Sequence, residues 1–131
     1  MEIEEQVLSI EQMKHLQELG VDTSDASMCW VAGEDTSTDE EEWNLIIPNN
    51  FLLPYNIPTY TIGDLIEKLP KSIDLGFGEY DLELSTKGEY VEVQYENDYD
   101  DYTPFFCSNL SLIESLYRIL CWLAENHKEL L

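Results

Sequence analysis

The sequence predicts an α+β fold in which an antiparallel sheet of two hairpins is packed on one face by the N- and C-terminal helices. Three observations lead to this prediction. The 131-residue chain begins and ends with capped amphipathic helices, two pairs of strand-like segments lie between them, and 44% hydrophobic residues can supply a core. A chain of this length suits one core, so we expect residues 1–131 to form a single domain.

The first element is a helix with clear signals at both ends. Ser9 is followed three residues later by Gln12, which is the spacing of a capping box, and Leu8 and Met13 occupy the positions of a hydrophobic staple. Gly20 is a typical residue for the helix end. The pattern therefore predicts a helix between Ser9 and Gly20.

The first predicted hairpin pairs residues 26–32 with residues 43–47, two runs that read as strands. Its connection is dense in carboxylates and lacks apolar anchors, so we expect a mobile, solvated loop. The acidic residues of this loop are Glu34, Asp35, Asp39, Glu40, Glu41 and Glu42. A link punctuated by Pro48, Pro54 and Pro58 follows.

A short middle helix is predicted from Thr61 to about Leu69. Thr61 and Asp64 have capping-box spacing, and Pro70 stops the helix because proline lacks the amide that a helix needs. We expect this helix to lie at the edge of the sheet.

The second predicted hairpin spans residues 79–96, with Lys87 and Gly88 as a two-residue turn. In this register one face is apolar, and its cross-strand pairs are Tyr80 with Tyr95, Leu82 with Val93, and Leu84 with Val91. The other face is acidic, and its pairs are Glu79 with Glu96, Asp81 with Gln94, and Glu83 with Glu92. Like charges placed directly opposite each other destabilise a hairpin, so a stability-driven sequence would more often alternate signs there.

A charged loop with interleaved tyrosines follows this hairpin, and the last helix closes the chain. The loop carries Asp98, Asp100 and Asp101. Ser111 and Glu114 have capping spacing, which predicts a helix from Ser111 to about Asn126.

Charge defines the partners that the chain can bind. Six Lys and Arg against 28 Asp and Glu give a net charge of -22, which argues against direct binding to nucleic acid or an anionic membrane and favours a basic protein. Spread evenly, this is only about one net charge per 320 Å² of surface, against about one per 100 Å² for B-DNA, so placement of the charge matters. The N-terminus lacks a signal-peptide pattern and the three cysteines suit reduced thiols, so a cytoplasmic location is expected.

The candidate protein-binding surface comprises the two acidic loops and the acidic hairpin face, although charge runs often serve only to solvate a protein exterior. From the hairpin and the second loop it takes Glu79, Asp81, Glu83, Glu92, Glu96, Asp98, Asp100 and Asp101, and from the first loop the six acidic residues named above. Trp122 is the candidate aromatic anchor, and the alternative is that neighbouring segments cover it.

No catalytic residue, cofactor or metal site is predicted. The only histidines are His15 and His127, and His127 suits a helix C-terminus. An EF-hand beginning at Asp98 would need glycine at Thr103 and glutamate at Asn109.

Several segments resemble a family of small acidic proteins from bacterial prophages and mobile elements. They are residues 8–13, Ala26-Ser27-Met28-x-Trp30, Tyr60-Thr61-Ile62-x-Asp64-Leu65, Leu69-Pro70 and Leu116-Tyr117-x-x-Leu120-Cys121-Trp122. The resemblance covers most of the chain. It implies a phage-linked role and carries no activity or functional residues.

The functional hypothesis is a non-enzymatic acidic binding module that occludes a basic nucleic-acid-binding protein, as DNA mimics do. Three alternatives remain open: an immunity protein that neutralises a toxin, a phage assembly protein that oligomerises through an apolar patch, and a small hydrolase. The sequence leaves the oligomeric state undefined.

Overall fold

The computed structural model describes residues 6–32, 43–46 and 56–131. The contacts of the chain group it into two compact units, residues 1–64 and residues 65–131. The prediction of a single domain stays a prediction. Each unit contains its own antiparallel sheet, and each is described separately.

The first unit contains a helix and a three-stranded sheet. Its elements are α1 (Ile10–Glu18), β1 (Met28–Ala32), β2 (Trp43–Ile46) and β3 (Asn56–Thr59), and the strand order is β2-β1-β3. The hairpin of β1 and β2 is confirmed, with Cys29 opposite Ile46 and Ala32 opposite Trp43.

The third strand of this sheet falls where the sequence predicted a proline-punctuated link. Pro58 lies within β3, directly opposite Cys29 of β1. A proline is tolerated at the edge of a sheet because only one side of an edge strand needs hydrogen-bond donors. Pro48 and Pro54 lie outside the described residues.

Helix α1 has the predicted ends. The Gln12 amide donates to Ser9 Oγ at 3.2 Å, and the Ser9 amide donates to Gln12 Oε1 at 2.9 Å. Gly20 has a φ of 86°, the left-handed conformation that glycine adopts without strain. The reciprocal capping box is therefore confirmed.

Tyr60 anchors the residues between the sheet and the middle helix. Its side chain is fully buried, and its hydroxyl lies 2.8 Å from the Asp22 carbonyl and 2.6 Å from Asp25 Oδ1, so its single proton is shared between two acceptors. Burial raises the pKa of Tyr60, and the hydrogen bond to Asp25 and the negative charge of that carboxylate raise it further.

Helix α2 (Ile62–Lys68) is the predicted short helix. Its first turn is held by two reciprocal bonds, from the Asp64 amide to Thr61 Oγ1 at 3.1 Å and from the Thr61 amide to Asp64 Oδ2 at 3.0 Å. The same carboxylate accepts from the Ser27 amide at 3.0 Å. Asp64 thus joins the start of the helix to the segment that leads into β1.

The second unit contains a four-stranded antiparallel sheet and the C-terminal helix. Its strands are β4 (Ser72–Asp74), β5 (Glu79–Lys87), β6 (Tyr90–Glu96) and β7 (Phe105–Asn109), in the order β4-β5-β6-β7. Helix α3 (Leu112–Asn126) packs on β6 and β7, and a 3-10 turn covers Lys128–Leu130. The α+β class is confirmed, while the two hairpins belong to separate sheets.

The core of this unit lies between the sheet and α3. Tyr80, Val93 and Tyr95 are buried on the sheet side, and Leu116 and Leu120 are buried on the helix side. The Tyr95 hydroxyl donates to the Pro70 carbonyl at 2.7 Å, which gives this buried phenol a partner. Helix α3 begins at its predicted cap, because the Glu114 amide donates to Ser111 Oγ at 3.3 Å.

The predicted register of the second hairpin is wrong by two positions. Lys87 pairs with Tyr90, so the turn residues are Gly88 and Glu89. Gly88 has a φ of 64°, and the predicted turn would have placed Lys87 at the first turn position, where the favoured hairpin turns require a positive φ.

The shift changes the pairs but leaves each residue on its predicted face, because side chains alternate with a period of two. The predicted opposition of Glu79 with Glu96 and of Glu83 with Glu92 is replaced. The observed pairs on that face are Asp81 with Glu96, Glu83 with Gln94, and Ser85 with Glu92.

Candidate protein-binding surface

Six carboxylates share one face of the four-stranded sheet, the face turned away from the buried Tyr80, Val93 and Tyr95. Alternation along β5 and β6 places the predicted hairpin acids on this side, and the pairing of β4 with β5 adds a sixth. We call this set the acidic face, and it consists of Asp74, Glu79, Asp81, Glu83, Glu92 and Glu96. Four of these side chains are exposed and Glu92 and Glu96 are half-buried.

Little positive charge offsets these carboxylates. On the same face of the described strands, the only cationic side chain is Lys87, at the turn end of the hairpin. No ion pair between described residues uses a carboxylate of the acidic face. Neutral donors contribute instead: Ser72 Oγ donates to Glu79 Oε1 at 2.8 Å, and Gln94 Nε2 donates to Glu83 Oε2 at 3.5 Å.

A cavity of about 310 Å³ lies on the acidic face, at the end of the sheet remote from the hairpin turn. The residues that line it are Glu79, Asp81, Glu83, Glu96, Asn97, Asp98 and Tyr99. Within the cavity, a hydrogen bond with Glu83 raises the pKa of Glu96, and desolvation and the charges of Glu83 and Asp98 act in the same direction. Such a shift is expected where two carboxyl groups approach each other and share a proton.

The loop of residues 97–102 is shaped by its own side chains. Asn97 Oδ1 accepts from the Tyr99 amide at 3.1 Å and the Asp100 amide at 3.0 Å, while Asn97 Nδ2 donates to the Glu79 carbonyl at 2.9 Å. Asp100 Oδ1 then accepts from the Tyr102 amide at 3.0 Å. These Asx-type bonds fix the loop beside the first residue of β5.

Aromatic rings border this end of the sheet. Phe77 and Tyr102 lie 5.7 Å apart between ring centroids, and both contact Tyr80 below them. Phe77 is 70% exposed, and Tyr99 at the cavity is 93% exposed. Burial raises the pKa of Tyr80, and a hydrogen bond to Asp100 raises it further. Exposed aromatic rings beside carboxylates are a common composition at protein interfaces.

The structure places the predicted site residues in three groups. The five hairpin acids lie together on the acidic face, and Asp98, Asp100 and Asp101 lie in the adjoining loop. The first-loop acids Glu34, Asp35, Asp39, Glu40, Glu41 and Glu42 lie outside the described residues.

The candidate anchor Trp122 is half-buried and packs within the second unit. Its ring lies 5.5 Å from Phe105, 6.3 Å from Tyr95 and 5.1 Å from His127, measured between centroids. Arg118 lies four residues before Trp122, and its guanidinium group pairs with the Glu114 carboxylate at 3.1 Å. Trp122 therefore contributes to packing of α3 more than to an exposed surface.

Sequence reasoning missed Asp74, which adds β4 to the acidic face, and Phe106, an exposed ring of β7 on the same side of the sheet. Asp74 lies opposite Glu79, and Phe106 lies opposite Gln94. The polar-apolar-polar run of Ser72, Ile73 and Asp74 was the available signal for β4, but three residues are too few to establish a period.

The described side chains offer no group of three or more His, Cys, Asp or Glu that could hold a metal ion. Within the described residues, no helix is long and apolar enough to cross a membrane. The chain matches no family model, no curated protein and no solved structure. The chemistry of the acidic face is therefore the basis for a functional proposal.

Proposed function

We propose that this protein is a binding module whose acidic face docks a basic surface of another protein, in the manner of a nucleic-acid mimic. One observation carries the proposal: six carboxylates lie on one face of the four-stranded sheet, with Lys87 as the single cation among the described residues of that face. A surface that serves only to keep a protein soluble can mix positive and negative side chains, so solubility alone does not require this separation of charge.

The density of charge on this face supports a mimic of nucleic acid. A rectangle that encloses the four strands, with a strand spacing of about 4.8 Å and the length of the nine-residue β5, about 30 Å, has an area of roughly 580 Å². Five net negative charges on it, six carboxylates less Lys87, give about one per 115 Å². The backbone of B-DNA presents about one per 100 Å². The acidic face is thus about three times as dense as the average of one per 320 Å² expected from the size of the chain.

The arrangement also favours a partner with Arg or Lys side chains over a small cation. The carboxylates are spread along two long strands, and a row of separated negative charges matches a row of basic side chains. The exposed Tyr99, which lines the cavity, adds aromatic surface at one end, where a guanidinium group can stack.

The test compares two variants that lose the same amount of charge at different places. The face variant carries Asp81→Asn, Glu83→Gln and Glu96→Gln. Its matched control carries Glu11→Gln, Glu67→Gln and Glu125→Gln, which lie outside the acidic face. The probe is an octa-arginine peptide, with affinity measured by fluorescence anisotropy across a salt series. We expect the face variant to lose at least about tenfold in affinity and to show a shallower salt dependence, and the control to lose much less.

Competition with DNA tests the mimicry directly. The wild-type protein should release a short DNA duplex from protamine, and the face variant should need a higher concentration than the control variant for the same release. Equal losses in the two variants would show that only total charge matters, and the proposal would then be wrong.

A further inference from the structure

Strand β7 is an outer strand of the four-stranded sheet, and its own residues lack the usual protection of a sheet edge. Among the described strands it pairs only with β6. Its five residues, Phe105–Asn109, contain neither a charge nor a proline. Natural edge strands are generally blunted by charged side chains, proline, bulges or very short length, because an unprotected edge pairs readily with another chain.

The opposite edge differs from β7 in length and in charge, whereas a proline lies close before each strand, Pro104 before β7 and Pro70 before β4. Strand β4 has only three residues, its last residue is Asp74, and Pro70 and Lys71 precede it. The sheet therefore has one blunted edge and one edge suited to receive a further strand.

Strand β7 also brings apolar surface next to the acidic face. Phe106 is 53% exposed and continues the cross-strand row from Glu83 through Gln94. The neighbouring row runs from Ser85 through Glu92 to Ser108. Neither Phe106 nor Ser108 places a charge between the free edge and the carboxylates.

We propose that the basic partner binds as an extended strand that pairs with the free edge of β7 and directs its basic side chains over the acidic face. This inference rests on the proposed function. Backbone hydrogen bonds to β7 hold the added strand, and alternate side chains give specificity.

The geometry of a sheet assigns a place to each of these side chains. An arginine opposite Phe106 lies one strand spacing, about 4.8 Å, from that residue and can stack on its ring. A basic residue opposite Ser108 lies about two spacings, or roughly 10 Å, from Glu92, and its long side chain can extend across the small serine. Residues between them point to the side where α3 packs, so they should be apolar.

A second copy of this chain is the other possible occupant of the edge. Each copy carries a net charge of -22, and pairing of two β7 strands would place two acidic faces side by side. Repulsion between them opposes such a dimer, whereas a basic strand is attracted. Charge complementarity therefore selects the basic strand.

The experiment uses the full chain and synthetic eight-residue peptides. The parent peptide alternates Arg and Val, a second peptide has the same composition with four Arg followed by four Val, and octa-arginine reports attraction by charge alone. Two further versions of the parent carry N-methyl groups either on all the Arg amides or on all the Val amides. In a strand that pairs along one edge, only one of these two sets of amides faces β7.

We expect methylation of one set to weaken binding at least about tenfold and methylation of the other set to have little effect. The parent peptide should bind more tightly than the peptide of four Arg followed by four Val. Amide hydrogen exchange should slow at alternate residues of Phe105–Asn109 when the parent peptide is bound.

Other outcomes separate this inference from the proposed function. Equal affinity of the parent peptide, the peptide of four Arg followed by four Val, and both methylated peptides would overturn strand addition. The proposed function, docking by charge, would still stand. Equal affinities of octa-arginine for the face variant and its control would overturn both the strand-addition inference and the proposed function. A dimer of the chain with protected β7 amides in the absence of peptide would assign the edge to a second copy and overturn the inference.

Discussion

Asp81 of β5 and Glu96 of β6 are directly opposed across the second hairpin, so two carboxylates occupy a cross-strand position that favours opposite charges. Both line the cavity at the end of the acidic face, where Glu96 also forms a hydrogen bond with Glu83. The protein therefore concentrates repulsion in the region proposed to bind a partner. Binding of a basic group there would relieve the repulsion and stabilise the fold.

The raised pKa of Glu96 predicts a stability that increases in mild acid. A carboxyl group whose pKa is higher in the folded than in the unfolded state binds more protons when folded, so stability falls as pH rises through the interval above the ordinary value. We expect the urea midpoint of wild type to rise between pH 7 and about pH 5, and Glu96→Gln to reduce that rise. An identical pH response in Glu96→Gln would contradict this assignment. The matched control is Glu67→Gln on α2.

Two glycine-to-alanine changes should have opposite effects on stability. Gly88 has a φ of 64°, so Gly88→Ala should cost about 1–2 kcal/mol even though the added Cβ meets open space. Gly63 lies in α2 with only an ordinary contact of 3.7 Å to Thr61 Oγ1, so Gly63→Ala should gain about 0.5–1 kcal/mol. Urea unfolding measures both free energies. Gly88→Asn should cost less than Gly88→Ala because asparagine tolerates the left-handed region, and the opposite ranking would contradict the turn assignment.

Removal of the α1 cap should destabilise the protein measurably. Ser9→Ala deletes the acceptor of the Gln12 amide and should cost about 1 kcal/mol in the free energy of unfolding. Ser24→Ala, at an exposed loop position, is the control and should change stability little. Equal effects of the two substitutions would argue against the cap.

The buried phenol of Tyr60 predicts a loss of stability in alkali. Its pKa is raised in the folded protein, so the stabilisation is complete below the ordinary tyrosine value of about 10 and decreases as pH rises above it. Tyr60→Phe should cost about 1 kcal/mol near neutral pH, because the hydrogen bond of the buried hydroxyl to Asp25 and the Asp22 carbonyl is lost. The variant should also depend less on pH above about 10 than wild type does. Urea midpoints on both sides of that pH measure the difference, and parallel curves would be evidence against the assignment.

Phe106→Ala should separate binding from folding. The ring is 53% exposed, so we expect little change in thermal stability and a severalfold weaker affinity for the alternating Arg and Val peptide. Phe77→Ala is the control, because Phe77 is 70% exposed and precedes β5, away from the β7 edge. A larger loss of affinity in Phe77→Ala than in Phe106→Ala would place the peptide elsewhere.

Local signals predicted the helices well. The caps at Ser9, Thr61 and Ser111 each depend on residues three apart, and each was found with the expected bonds. The faces of the second hairpin were also correct, because a shift of two positions preserves alternation. Its pairs were wrong because Gly88, and not Lys87, occupies the first turn position that favours glycine.

The remaining strands could not be predicted from local pattern. Strand β3 pairs with β1, some 25 residues earlier, and its proline reads as a link until the edge position is known. Strands β4 and β7 are short, and each is defined by a partner strand more than by its own residues. The acidic face was predicted in outline from β5 and β6, whereas the unprotected edge beside it required the strand order.

In the second unit the spatial order β4-β5-β6-β7 is also the order along the chain. Each strand meets the one made just before it, so every pairing closes a short loop at a small cost in chain entropy. Such sheets have low contact order and fold fast for a β structure. The acidic face can therefore assemble early from successive neighbours despite the repulsion among its charges.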